Sequence, residues 1–95
     1  MKFNDEQNVN FENELLKFIR IKFIEPIKIN GNKPTIRQYE NLTSIGRTTI
    51  TKLTKSQGYD VPFSTIFKIC KYAEIPLSDF FSQFEEYLQT KYSKK

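Results

Sequence analysis

Short hydroxyl-bearing and basic side chains cluster in the middle of the chain, over residues 44–53. The candidates for contact with a base are Arg47, Thr48, Thr49, Thr51 and Lys52, and the alternative for Arg47 and Lys52 is contact with a phosphate. Ile50 and Leu53 are three positions apart and share one face of a helix, which leaves the polar side chains largely outward. Hydroxyl and basic groups on an exposed helix can reach base edges and phosphates in a major groove. The pattern predicts a recognition helix over about 47–55.

A second set of polar side chains flanks this helix and has the chemistry of phosphate contacts. Its members are Lys33, Arg37, Gln38, Lys55, Ser56 and Tyr59. Lys33 and Arg37 lie near a predicted helix start, where backbone N–H groups and the helix dipole attract anions. The alternative for these charges is ordinary solvated surface. Tyr59 has its own alternative, in which the ring folds back on Phe63.

The charge of the chain is unevenly distributed. The net charge is +4, but residues 15–58 carry nine Lys and Arg against the two acids Glu25 and Glu40. The remainder carries six basic residues against nine acidic ones. A basic middle that coincides with the polar helix favours a polyanionic partner over a merely solvated surface.

Other kinds of site find little support in the composition. The chain has no His and one Cys, Cys70, which lies in an apolar helical pattern, so we expect a buried thiol and no transition-metal site. No catalytic residues, cofactor or enzymatic activity are expected, because no nucleophile is paired with a base and no Gly-rich phosphate loop occurs. No apolar run is long enough for a membrane span and no signal peptide is evident, so a cytoplasmic protein is expected.

The elements that must position these side chains are predicted to be helices. Residues 1–9 are expected to be a flexible arm, 10–92 a single helical domain and 93–95 a loose tail. A first helix starts after the N-cap Asn10 and ends or kinks before Pro26. Thr35 and Gln38 form a capping-box pattern at the start of a short second helix. The third helix follows after a turn, so a helix-turn-helix spans about 35–55, and no sheet is expected.

Two further apolar helices are predicted after the helix-turn-helix. A fourth helix has Pro62 in its first turn and core positions at Phe63, Ile66, Phe67, Ile69, Cys70 and Ala73. A fifth begins near Leu77 or Ser78 and continues an aromatic stripe. The C-terminal part of that stripe, Phe84, Tyr87 and Leu88, is the candidate surface for a homodimer.

Residues 34–81 resemble the Xre-like family, the helix-turn-helix proteins related to phage Cro and repressor. The resemblance rests on Ile45, Thr49, Ile50 and Leu53, on the segment 63–71 and on the segment 75–81. It implies a compact five-helix, repressor-like domain that binds a palindromic double-stranded DNA operator as a dimer, with the third helix in the major groove. The implied function is sequence-specific transcriptional regulation, most simply as a repressor.

A different class of protein also fits the composition. In that alternative the helical fold is a protein-interaction module, such as an antitoxin or a phage or plasmid regulatory partner. Its Phe-rich C-terminal helix would bind another protein. The Arg, Thr and Lys side chains of the third helix argue for the DNA-binding interpretation, because an interaction module has no need of them there.

Overall fold

The computed structural model describes residues 10–92, and these form five α-helices with no β-strand among them. The helices are α1 (Phe11–Ile19), α2 (Ile36–Thr43), α3 (Arg47–Lys55), α4 (Phe63–Ala73) and α5 (Leu77–Tyr92). The predicted all-α fold is therefore confirmed. The arm expected over 1–9 and the tail expected over 93–95 lie outside the described residues.

The first helix starts and ends where its local sequence predicts. The side chain of Asn10 accepts a hydrogen bond from the backbone N–H of Asn13 at 3.1 Å and caps α1. The helix continues beyond Ile19 as a π-helical turn, Arg20–Ile24, and stops before Pro26. Pro cannot continue the hydrogen-bond ladder, which explains the end. The wider π turn was not predicted, and such turns often occur at functional positions.

The core is centred on one aromatic ring from α1. Phe18 has no exposed surface and meets Phe80 edge to face, with ring centroids 5.5 Å apart. Phe84 and Tyr87 lie at 5.3 and 5.4 Å from the same ring. This cluster holds α5 against α1, while Ile50 and Leu53 anchor α3 in the same core.

The fourth helix differs from its prediction in two ways. Pro62 is the N-cap instead of a first-turn residue. Phe63 and Phe67, expected in the core, have 60% and 54% of their surface exposed, so that expectation is wrong. The reason is that α4 buries only one side, made of Thr65, Ile66, Ile69 and Cys70. Hydrophobicity around most of a helix does not decide which side will pack.

Two more apolar side chains are exposed. Leu42 is 41% exposed, because α2 packs through Tyr39 and Thr43 instead. Phe81 of the α5 stripe is 40% exposed and stacks on Phe63, with ring centroids 6.5 Å apart. No helix in the described range is long and apolar enough to cross a membrane.

Candidate nucleic-acid interface

Helices α2 and α3 are joined by a short turn over residues 44–46, and local hydrogen bonds fix both the start of α2 and this turn. The Thr35 hydroxyl accepts from the backbone N–H of Gln38 at 3.2 Å, and the Gln38 side chain accepts from the Thr35 N–H at 2.9 Å. This is the predicted capping box. Ser44 ends α2 in the left-handed conformation, with φ of 62°, and its N–H bonds the Glu40 carbonyl at 2.8 Å.

The buried Thr43 holds the next residue of the turn. Its hydroxyl donates to the Tyr39 carbonyl at 2.7 Å and accepts from the Ile45 N–H at 3.2 Å. Ile45 itself is buried, so the turn is pinned to the core at the point where α3 starts. Because the turn is fixed by both hydrogen bonds and burial, the direction of α3 is set by α2.

The outward face of α3 is polar and basic along its whole length. Thr48, Lys52 and Lys55 are exposed and, at spacings of four and three, share one face. Arg47 is exposed at the start of the helix. Thr49 and Thr51 are half-buried at the two edges of this face. Of the residues predicted to contact bases, three are therefore exposed, whereas Thr49 and Thr51 lie at the edges of the exposed face.

Two contacts restrain the basic side chains of this face. The ammonium group of Lys52 lies 5.2 Å from the centre of the Tyr59 ring, a cation–π contact. Tyr59 is half-buried and packs against the core. Arg47 Nε lies 3.7 Å from Glu40 Oε1 with 65% of the Arg47 side chain exposed, an ion pair that contributes little to stability.

Arg20, which was not predicted to be a functional residue, binds the C-terminal end of α3. Its guanidinium donates from Nε to the Leu53 carbonyl and from Nη2 to the Ser56 carbonyl, both at 2.7 Å. A cation at the C-terminal end of a helix satisfies its last carbonyls and opposes the negative end of the dipole. The sequence contained a signal for this role of Arg20. Arg20 is four residues after the buried Leu16, so a charged side chain interrupts the apolar stripe of the first helix.

The predicted phosphate contacts lie at the start of α2, at the end of α3 and in the loop that follows α3. Lys33, Arg37 and Lys55 are exposed, at the start of α2 and the end of α3. Gln38 and Ser56 are half-buried. The side-chain oxygen of Gln38 is used in the capping box and the Ser56 carbonyl accepts from Arg20, so both residues also have structural roles.

The predicted dimer surface on α5 needs correction. Leu88 has no exposed surface, so it cannot present itself to a second copy, and that expectation is wrong. Phe84 and Tyr87 are half-buried because their rings pack on Phe18. Exposed aromatic side chains lie instead at Phe11, at Tyr72 and on a surface formed by α4 and the start of α5. That surface contains Phe63, Phe67 and Phe81, which we name the aromatic patch.

A buried carboxylate joins the two ends of the described chain. Glu14 is 5% exposed and accepts hydrogen bonds from Lys91 Nζ at 2.9 Å, from the Tyr87 hydroxyl at 3.1 Å and from the Tyr92 hydroxyl. Burial by itself raises the pKa of the Glu14 carboxyl. The hydrogen bonds from Tyr92, Lys91 and Tyr87 outweigh burial, so the pKa lies below its ordinary value. The cluster ties α5 to α1.

Within 10–92, no three His, Cys, Asp or Glu side chains come together as metal ligands. Cys70 is buried, and burial raises the pKa of its thiol, which disfavours the reactive thiolate.

No protein-family model, curated protein or solved structure matches this chain. Its function is therefore inferred from the geometry and charge of its own residues.

Proposed function

We propose that this chain is a sequence-specific, double-stranded DNA-binding regulator of transcription of the Xre-like kind, whose α3 enters the major groove. The observation that carries the proposal is the exposed face of Thr48, Lys52 and Lys55 on a helix fastened at both ends. The pinned turn orients its start, and Arg20 holds its C-terminal carbonyls. A rigid helix with hydroxyl and ammonium groups on one face suits base edges and flanking phosphates.

The distribution of charge supports the same proposal. Eight of the nine basic residues in 15–58 are exposed, while Arg20 is half-buried and bonds α3. Exposed positive charge attracts DNA without regard to sequence and accelerates encounter. The cytoplasmic location expected from the sequence belongs to this proposal, as does the role of a repressor.

We further propose that two copies pair through the aromatic patch, which gives the dimer a different surface from the one expected on α5. Contiguous exposed apolar surface of this kind commonly marks an interaction site. In a two-fold pairing, each patch meets its own copy, so the stacked rings of Phe63 and Phe81 can pack against the same rings of the second copy.

The size of the patch predicts a weak dimer. The three rings expose on the order of 300 Å² per copy, taking roughly 200 Å² for a whole phenylalanine side chain. Two copies would bury about 600 Å² through these rings alone, against about 1,200–2,000 Å² in a stable interface. Pairing should therefore need high protein concentration or two adjacent DNA half-sites, which raise the local concentration.

Selection of bound duplexes from a random DNA pool tests the function directly. We expect enrichment of one sequence arranged as an inverted repeat, with binding that weakens steeply as salt is raised. A protein that is helical by circular dichroism and binds no duplex at about 50 mM salt would overturn the proposal. Enrichment of a single half-site without a repeat would retain DNA binding but exclude the symmetric dimer.

The aromatic patch favours the alternative in which this chain is a protein-interaction module. That alternative predicts the opposite result for substitutions in α3. If that alternative holds, neutralising Lys52 and Lys55 leaves the function in the cell intact, whereas Phe63→Ser abolishes it. DNA-dependent regulation requires the lysines, so the lysine variant separates the two proposals. Phe63→Ser does not separate them, because it also removes part of the proposed dimer surface.

A further inference from the structure

The connection between α1 and α2 contains a tight β-hairpin turn. Ile29 and Asn32 exchange two backbone hydrogen bonds, both of 2.9 Å. The residues between them have positive φ angles, 52° at Asn30 and 78° at Gly31. Two consecutive left-handed residues define the turn that best matches paired strands, and Asn-Gly is its preferred sequence. The tip therefore has one defined conformation.

Both ends of this hairpin are anchored in the protein. Ile27 is buried in the core before it, and Pro34 is buried after it. Between these anchors Lys28, Asn30, Gly31, Asn32 and Lys33 are exposed, and Ile29 is half-buried. The hairpin is thus a short projection that is held at both ends, with Lys28 before the turn and Lys33 after it.

The lysines of the hairpin lie beside the end of α3. Lys28 and Lys33 line a concavity of about 290 Å³ together with Thr54 of α3 and with Arg20. Glu25, on the same rim, offsets one positive charge. Neither lysine forms an ion pair with another residue in the range 10–92. Two unpaired ammonium groups therefore flank α3 on the side of Thr54.

We propose that this hairpin is a second DNA-contacting element, in which Lys28 and Lys33 bind backbone phosphates next to the groove occupied by α3. The inference rests on the proposed function and adds a binding site to it. Ammonium groups contact phosphates as point charges and carry no base specificity. The hairpin then contributes affinity and register on the duplex, while α3 contributes the choice of sequence.

A pair of charge-matched variants tests the proposal. Lys28→Gln with Lys33→Gln removes the hairpin charges, and Lys22→Gln with Lys68→Gln removes two exposed lysines on the π turn and α4. Both variants have two fewer positive charges, so a general change in net charge affects them equally. The probes are a random-sequence duplex and the duplex selected from the pool, titrated by fluorescence anisotropy between about 50 and 200 mM salt.

The hairpin variant should bind both probes more weakly, with a smaller salt dependence. The slope of log affinity against log salt falls by about 0.9 for each phosphate that is no longer neutralised, so by up to about 1.8. The control variant should keep the slope of the unaltered chain. Equal slopes for the hairpin and control variants would overturn the hairpin site while leaving DNA binding by α3 intact. Absence of binding by the unaltered, folded chain would overturn both.

A second measurement locates the contact. Neutral methylphosphonate linkages, introduced one at a time into the selected duplex, should weaken binding by the unaltered chain at particular flanking phosphates. The hairpin variant should be insensitive at those same positions and remain sensitive elsewhere. If both proteins respond identically at every position, Lys28 and Lys33 do not bind phosphate and the inference is wrong.

Discussion

Arg20 donates a hydrogen bond from Nε to the carbonyl oxygen of Leu53, at 2.7 Å, across 33 residues of sequence. A second bond of 2.7 Å from the same guanidinium reaches the Ser56 carbonyl. Arg20 is the first residue of the π-helical turn that follows α1. It thereby holds the C-terminal end of α3, at carbonyls that α3 itself cannot satisfy.

Arg20→Met should therefore lower the free energy of unfolding by about 2 kcal/mol, because it removes two charge-assisted hydrogen bonds to α3. Arg20→Lys should recover part of this stability, since an ammonium group can still reach one carbonyl. Urea unfolding followed by circular dichroism measures both. Arg37→Met, on the exposed side of α2, is the control and should stay within about 0.5 kcal/mol of the unaltered chain. An equal effect of Arg20→Met and Arg37→Met would contradict the role assigned to Arg20.

Arg47→Ala combined with Lys52→Ala should weaken DNA binding and flatten its salt dependence. Each phosphate that is no longer neutralised lowers the slope of log affinity against log salt by about 0.9. Lys52 is held over the Tyr59 ring, so it meets DNA with little further restriction of its side chain. Anisotropy titrations over a range of salt provide the measurement. An unchanged slope would remove these two residues from the interface.

Thr48→Ala tests whether an uncharged residue of α3 contacts a base, and is compared with the charged pair Arg47 and Lys52. Thr48 is uncharged and lies on the exposed face of α3, so its removal should alter the preferred sequence and leave the salt slope as it was. Selection from the random pool with this variant detects the change. The same enriched sequence for Thr48→Ala and the unaltered chain would show that Thr48 does not read a base.

Phe63→Ser with Phe67→Ser should abolish self-association and leave the protein folded. More than half of each side chain is already exposed, so each substitution loses less apolar burial than a core substitution does. Sedimentation velocity over a concentration series measures the association. Ile21→Ser removes an apolar residue that is 52% exposed elsewhere, on the π turn, and should leave association unchanged. Identical sedimentation of all three proteins would exclude the aromatic patch as the dimer surface.

Acid should destabilise the protein through Glu14. Its pKa is lower in the folded state than in the unfolded chain, because the hydrogen bonds from Tyr92, Lys91 and Tyr87 outweigh burial. The resulting stabilisation is present above the ordinary Glu pKa of about 4.3 and disappears as the pH falls through the lower folded-state value. Glu14→Gln should therefore be less stable at neutral pH and show a weaker dependence on acid.

Thermal unfolding between about pH 7 and pH 3 measures this effect, since the carboxyl titrates within that window. Glu12→Gln, an exposed position on the same helix, serves as the control and should retain the acid dependence of the unaltered chain. If Glu14→Gln is destabilised by acid as steeply as Glu12→Gln is, the cluster of Glu14, Tyr87, Lys91 and Tyr92 is not the source of the effect.

The ends of several helices could be predicted from residues that are close together in the sequence. Asn10 caps α1, Pro26 follows its end, and the reciprocal bonds of Thr35 and Gln38 start α2, all as the sequence predicts. The bounds of α3 also agree with the predicted 47–55. Each of these features depends on residues three or four positions apart, so a short stretch of sequence contains the whole interaction.

Hydrogen bonds between residues that are distant in the sequence could be identified only from the tertiary structure. Arg20 meets α3 across more than 30 residues, and Glu14 meets Tyr87 across 73. The side of α4 that packs is likewise chosen by its neighbours, which bury Thr65 and leave Phe63 and Phe67 outside. Periodicity places residues on a common face, but only the arrangement of the other helices determines whether that face meets the core, a second copy or solvent.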